Sequence, residues 1–288
     1  MLEFSPPDWF GKTIVNLRQS FLTMLTVSPI NVDTAHAWRD AGNYAFVGLL
    51  PSAGCAWEFL RRNRDYQKAW RTFASKSNPS SELDPDPTVF GLVRFESPER
   101  DARSADVFWH RSLSSEVLPV TASNPEPAHH CYPKLSLDGL QCRMVVQSGC
   151  AGEHHILFAQ DGRFLQLHIQ GPQSVETACL TTEIVLSSRL VAPRVEALRR
   201  LADLVTHGRL RASLYPPERR ACRLMKALQA FDAMQDGASH RQIAAALFGE
   251  ATVREDWSGR SDYLRLRVQR LLRFSDRLVK GGYRDLLR

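Results

Sequence analysis

Apolar residues recur at two different periods along this chain, and the changes of period divide it. Between residues 31 and 73, Trp38, Tyr44, Phe46, Leu49 and Leu50 stand at roughly helical spacing. They are followed by Cys55-Ala-Trp-Glu-Phe-Leu-Arg-Arg-Asn63 and Tyr66-Gln-Lys-Ala-Trp-Arg-Thr-Phe73. This pattern predicts two or three short helices around an aromatic core, with Asp33-Thr34 supplying N-cap chemistry. Upstream, residues 13–25 fit a short helix within an N-terminal extension, 1–30. The period then becomes that of a strand. Residues 88–95, 105–110, 116–121, 140–147, 153–160 and 163–170 read as strands, separated by Pro- and Ser-rich stretches at 75–87 and 123–133. Asp161-Gly162 between the last two is a hairpin signal, because a type I′ turn needs positive φ at both positions.

From Pro193 the spacing is helical again. Residues 194–206 put Leu198, Leu201, Leu204 and Val205 on one face, and His207-Gly208 ends that helix as a glycine C-cap. Pro216-Pro217 opens a second helix to Gln235, closed by Gly237. Ser239 caps a third, and a long fourth covers 259–280. The expected fold is therefore α+β. A small N-terminal helical domain (31–76) precedes a β-rich middle domain (88–190), and an all-helical, helix-turn-helix-like domain (191–288) closes the chain. No internal repeat is visible.

The segment Ala238-Ser-His-Arg-Gln-Ile-Ala-Ala-Ala-Leu-Phe-Gly249 has the form of the first helix of a helix-turn-helix. Ser239 caps it, Ile243 and Leu247 face the core, Ala244 permits a close crossing and Gly249 a turn. At about 100° per residue, Leu264, Val268, Leu271, Leu272, Leu278 and Val279 of the fourth helix share one apolar sector. Arg270, Arg273, Arg277 and Lys280 lie opposite, and Arg265 and Arg267 flank the stripe. Asp262 and Asp276 approach only its borders. A solvated helix usually mixes signs, whereas a row of like cations suits a duplex phosphate backbone. Arg260, Tyr263, Arg265 and Arg267 are candidates for base edges, and Arg270, Arg273, Arg277 and Lys280 for phosphates. Ser239, His240, Arg241 and Gln242 at the start of the third helix are further candidates. The connection 250–259 is longer than a minimal helix-turn-helix turn.

Charge sharpens this picture. Residues 191–288 carry 20 Lys and Arg, 18 of them Arg, against 11 Asp and Glu, while residues 1–190 carry 17 against 20. The excess of cations at one end points to a polyanion, and Arg is the side chain that grips phosphate and guanine bidentately. The six cysteines are scattered without a CxxC pair and read as reduced thiols of a cytoplasmic protein. Neither a signal peptide nor a membrane span is expected.

Other chemistry is weaker. His129-His130-Cys131 and His154-His155 invite a metal, but the first cluster sits in a Pro-containing stretch, and consecutive residues of a strand face opposite sides. Neither metal nor cofactor is expected. No phosphate-binding loop, HExxH or GxSxG occurs, so no enzyme is expected either. The aromatic cluster of the N-terminal helices fits a core better than a stacking surface for bases.

Several of these segments carry a resemblance. The stretch 237–249, Trp257, the run from Arg265 to Arg273 and the ending Gly281-Gly-Tyr-Arg-Asp-Leu-Leu287 are similar to the family called domain of unknown function 2285. Trp38-Arg-Asp40, Tyr44, Ala56-Trp-Glu-Phe-Leu-Arg-Arg-Asn63, Tyr66 and Trp70 resemble the small transcriptional-regulator domain that precedes it in longer members. The resemblance implies an activator of excision and transfer genes on integrative and conjugative elements of proteobacteria. It also implies that single-domain relatives act as antiactivators by binding such activators. The expected partners are promoter DNA, RNA polymerase, a single-domain antiactivator and further copies of the chain. The rival is a protein-interaction module whose basic face meets an acidic regulator. The two differ in salt dependence and sequence preference.

Overall fold

The computed structural model describes residues 36–75, 85–123, 139–149, 153–171, 179–184, 190–257 and 262–288. The expected helix at 13–25, the Asp33-Thr34 cap, His129-His130-Cys131 and Arg260 lie outside them. So do residues 76–84 and 124–138, which make up most of the two Pro- and Ser-rich stretches.

The molecule is α+β, with helices at both ends of the chain and a mixed five-stranded sheet between them. The first helical part contains a 3-10 helix, Ala41–Leu49, whose first turn is capped by Asp40 accepting from Gly42 N at 2.8 Å. Helices α1 (Ser52–Leu60) and α2 (Arg64–Ala74) follow. Arg61 ends the first, and Asn63 caps the second, accepting from Tyr66 N at 2.9 Å. The C-terminal part holds α3 (Val191–His207), α4 (Ala221–Gln235), α5 (His240–Phe248), α6 (Glu250–Asp256) and α7 (Tyr263–Val279).

One core joins the two ends of the chain. Trp57, Phe59, Leu60 and Tyr66 pack with Leu224, Leu228, Ile243, Leu264, Val268 and Tyr283, all buried. Polar ties fix the fit between them. Asp232 of α4 accepts from Tyr44 Oη at 2.8 Å and from Arg62 Nε and Nη2 at 2.7 and 2.9 Å. Trp38 Nε1 donates to Asp236 at 2.7 Å, and Asn63 Nδ2 donates to the Val279 carbonyl at the end of α7 at 2.8 Å. Glu58 is wholly buried. It receives Arg61 Nε and Arg62 Nη1, each at 2.7 Å, and the Ala102 amide at 2.8 Å. Burial alone would raise its carboxyl, but Arg61 and Arg62 hold it below the usual range.

The strands are β1 (Leu118–Ser123), β2 (Arg143–Ser148), β3 (Glu153–Gln160), β4 (Arg163–Gln170) and β5 (Cys179–Thr181), in the order β2-β3-β4-β1-β5. Strand β1 runs parallel to β4, and the other pairs are antiparallel. The β3–β4 turn has positive φ at both Asp161 (50°) and Gly162 (78°), as the hairpin signal required. One face of the sheet, with Leu118, Val120, Ile156, Phe158, Leu165, Leu167 and Ile169, packs on Ala197 and Leu204 of α3. The other carries Leu157, Ala159 and Phe164 against Phe108. It also carries Glu153, His155 and His168, toward one end. Burial and then the neighbouring His168 push His155 down to about 4, and burial lowers His168 as well, so both rings are neutral at pH 7.

The expectations fail in particular places. Residues 88–95 and 105–110 are not strands. Asp86 caps a 3-10 turn, Pro87–Phe90, and Gly91 (φ 77°) breaks the chain direction, leaving one bridge, Leu92 to Trp109. Gln166 takes the place of a ladder partner there, its amide bonding Trp109 N at 2.9 Å and Trp109 O at 2.8 Å. The alternating apolar pattern arose because this segment is buried between the helical core and the sheet, and its pairing stops at that bridge, with Val93 N donating to Phe108 O and His110 N to Gly91 O, each at 2.8 Å. Strand β5 was not expected. The 250–259 connection contains α6, with Val253 as its buried anchor. Helix α4 begins at Ala221, after the two prolines, because the Glu218 amide bonds Leu50 O at 3.0 Å and its carboxylate takes Ser52 Oγ.

Candidate nucleic-acid interface

Helix α5 is shaped by its cap. Ser239 Oγ accepts from Gln242 N at 3.3 Å, and Gln242 Oε1 accepts from Ser239 N at 2.8 Å, a complete capping box. Two of the predicted contact residues thus have their side chains bonded to the helix start. His240 is half-buried and Arg241 is exposed, with no ion pair among the described residues. Ile243 faces the core as expected, Leu247 packs against it partly buried, Ala244 is fully buried, and Gly249 (φ 92°) turns the chain directly into α6. The exposed side chains of α6 include Glu250 and Glu255 beside Arg254, a mixed surface unsuited to a polyanion.

The cations collect on α7. Leu264, Val268, Leu278 and Val279 are buried, and Arg265, Arg267, Arg270, Arg273, Arg277 and Lys280 are exposed, so the amphipathic division expected from the sequence is present. The exposed cations are not equivalent. Arg265 pairs with Asp262 at 3.3 Å and bonds the Trp257 carbonyl at 3.1 Å, while Lys280 pairs with Asp276 at 2.9 Å. Arg267 lies over the Phe248 ring at 4.3 Å, and Arg277 near Phe274 at 5.6 Å. Arg270 and Arg273 have no acidic partner among the described residues.

An open cleft of about 450 Å³ lies between α4, the end of α5 and α7, lined by Arg223, Lys226, Phe248, Tyr263, Arg267 and Arg270 among others. It brings together three predicted residues, Tyr263, Arg267 and Arg270, and adds two that the sequence reading missed. Arg223 is held over Phe274 at 4.1 Å, and Lys226 stands 5.7 Å from Phe248. The signal was present: Arg219, Arg220, Arg223 and Lys226 recur at helical spacing. The cleft does not contain Ser239, His240, Arg241 or Gln242, which sit at the far end of α5, roughly 12 Å along its axis from Phe248. Aromatic rings that hold guanidinium groups restrict their rotamers and leave their N–H groups free for an anion.

Cys55 is fully buried, and its thiol is pushed up to about 12 by burial, with Glu218 and then Glu58 adding to it, so the thiolate is disfavoured. No described helix is long and apolar enough to cross a membrane.

A basic, aromatic-braced helical surface of this kind suits a polyanion. The comparisons with known families name the class more narrowly. Residues 184–288 match the family described as T6SS, Transcription factor, DNA binding domain, and residues 37–89 match the Proteobacterial transcriptional regulator-like domain. No curated protein matches the chain. The two matches support a DNA-binding transcriptional regulator, and neither family is one of enzymes.

Proposed function

We propose that the chain regulates transcription by gripping duplex DNA with α7 and the adjoining face of α4. Arg270 and Arg273 meet phosphates, with Arg277 and Lys280 farther along the same helix. Tyr263, Arg265 and Arg267 lie toward the groove, with Arg260 a further base contact proposed from the sequence alone, and Ser239, His240, Arg241 and Gln242 at the start of α5 form a second, smaller contact. The observation that carries this is the pair of exposed guanidiniums, Arg270 and Arg273, without an acidic partner among the described residues, beside a cleft bearing Arg223, Lys226 and Arg267. Like charges are held close together at a cost in repulsion that a polyanion relieves. The match of 184–288 to a transcription-factor DNA-binding domain supports the same reading.

The finer proposal is an activator acting in the cytoplasm as a homo-oligomer on repeated half-sites and contacting RNA polymerase. The resemblance to domain of unknown function 2285 supports targets among excision and transfer genes of a mobile element, with a single-domain antiactivator as its antagonist. The test is a mobility-shift titration of the full chain on its own upstream DNA and on a scrambled fragment, at two salt concentrations. Preference for the native fragment, with affinity falling steeply with salt, is the expected result. Equal, weak binding to both fragments would instead favour a module that docks on an acidic regulator.

A further inference from the structure

We propose that Glu153, His155 and His168 form a binding site for one divalent transition-metal ion of the zinc class. The residues come from β3 and β4 in the middle of the chain, a region that neither family match covers. His155 and His168 are direct cross-strand partners, and Glu153 lies two residues from His155 on the same strand, so all three side chains share one face of the sheet. The two rings are 4.8 Å apart at their centroids, tilted by 42°. One donor atom from each of the three residues falls within 4.8 Å of the others, and His168 Nε2 is 3.5 Å from Glu153 Oε1. With metal–nitrogen distances near 2.0–2.1 Å, neighbouring donors of a tetrahedral site stand roughly 3.3 Å apart. The His168–Glu153 spacing is already close to that, and the remaining separations, all within 4.8 Å, must close by up to roughly 1.5 Å on binding.

Burial supplies an independent argument. His155 and His168 are 6% and 3% exposed, and Nδ1 of each ring is buried without a hydrogen-bond partner among the described residues. Unpaired ring nitrogens in a dry environment are destabilising, and an ion held through Nδ1 of His155 would relieve one of the two, while His168 meets Glu153 through Nε2. Phe108, fully buried, stands edge-on to His155 at 6.5 Å and closes the inner wall. Glu153 is half-exposed, so the ion would enter and keep a water ligand on that side. Two neutral imidazoles and one carboxylate suit zinc, cobalt or nickel, not calcium or magnesium, which need more oxygen ligands. Arg111 lies near enough to His168 to oppose a cation, which makes the Glu153 charge indispensable. His154 points the other way, toward Ser148 Oγ at 3.2 Å, and takes no part. A bound ion would cross-link β3 to β4 at the end of their hairpin opposite the Asp161-Gly162 turn.

The test uses the full chain, stripped with a chelator, titrated with zinc by calorimetry and with cobalt by visible absorption. One ion per chain is expected, with a rise in melting temperature of about 5 °C at saturating zinc. Glu153→Gln should weaken binding at least ~10-fold while leaving the metal-free melting temperature unchanged, His168→Gln should abolish it, and His154→Gln should have no effect. Replacing His129 and His130 by Ala and Cys131 by Ser should leave binding intact. The proposal is overturned if the wild-type chain takes up no ion below ~100 µM. It is equally overturned if binding survives Glu153→Gln unchanged, or if binding disappears with the 129–131 replacements.

Discussion

Two sets of arginines in this molecule do opposite things. At the end of α1, Arg61 and Arg62 are drawn into the core, where they meet Glu58 and Asp232 at hydrogen-bond distance and join the first helical part to α4. On α7, Arg270 and Arg273 point into solvent and meet no carboxylate among the described residues. The first set is already neutralised and desolvated, so it contributes to folding and has nothing left for a ligand. The second retains its full charge for one. Arginine abundance alone therefore says little about DNA binding, and the accounting must be made residue by residue.

Removing a neutralised cation should cost the most. In Arg62→Ala, Glu58 stays buried with one partner gone, and Asp232 loses both of its bonds from the guanidinium. Breaking a buried pair typically costs about 3–5 kcal/mol, so urea or thermal unfolding should show a loss of that size. The pH dependence has a definite sign. Because the folded Glu58 carboxyl lies below its ordinary value, its contribution is fully present above about 4.3 and disappears as pH falls through the folded value. Glu58→Gln should therefore flatten the acid limb of the stability profile. An unchanged stability in Arg62→Ala would erase the contrast between the two sets.

Next in size is the exposed set. Replacing Arg270 and Arg273 together by Glu should leave the fold intact, since neither carries a structural ion pair among the described residues. DNA affinity should fall at least ~100-fold, and the slope of log affinity against log salt should shrink by about 2. If circular dichroism showed a folded double variant that bound its promoter as tightly as the wild type, this face would not be the DNA face.

Smaller still is the effect of the cap. Ser239→Ala removes the side-chain oxygen that accepts from Gln242 N and should cost about 1 kcal/mol. If Ser239 and Gln242 act on DNA only by shaping α5, the variant should lose affinity in proportion to that local fraying and no further. A far larger loss of binding in a stably folded variant would mean a direct contact.

Much of this was legible because it depends on local periodicity. The apolar sector of α7, the Asp161-Gly162 turn and the Ser239 cap are each set within a few residues, and each stands where the pattern put it. The bridging segment around Leu92 and Trp109 was misread because alternation reports burial on two sides, and that arises without a ladder when a side chain such as Gln166 satisfies the backbone. Helix α6 was missed because Val253 is its only fully buried apolar anchor, too little for a period. Pairings across nearly two hundred residues, such as Tyr44 with Asp232, leave no local trace. The same is true of the site. Arg223 and Lys226 join Arg267 and Arg270 only because α4 packs against α7, and His155 finds its partner on β4, not in its sequence neighbour His154.

The smallest predicted effect separates exposure from availability. Lys280 is as exposed as the α7 arginines, but its ammonium sits 2.9 Å from Asp276, one turn back. Surface pairs at this spacing stabilise a helix by only about 0.3–0.5 kcal/mol, so Lys280→Gln should barely move the melting temperature. It should also weaken DNA binding less than Arg273→Gln does, although both substitutions remove one positive charge. Lys280 approaches a phosphate together with the Asp276 charge beside it, whereas Arg273 brings no acid with it. Adding Asp276→Asn should raise affinity in the wild-type background and make the Lys280→Gln loss as large as that of Arg273→Gln. Equal losses from Lys280→Gln and Arg273→Gln in the original chain would show that pairing within the helix does not decide which cations reach the duplex. The division between the two sets of arginines would then rest on burial alone.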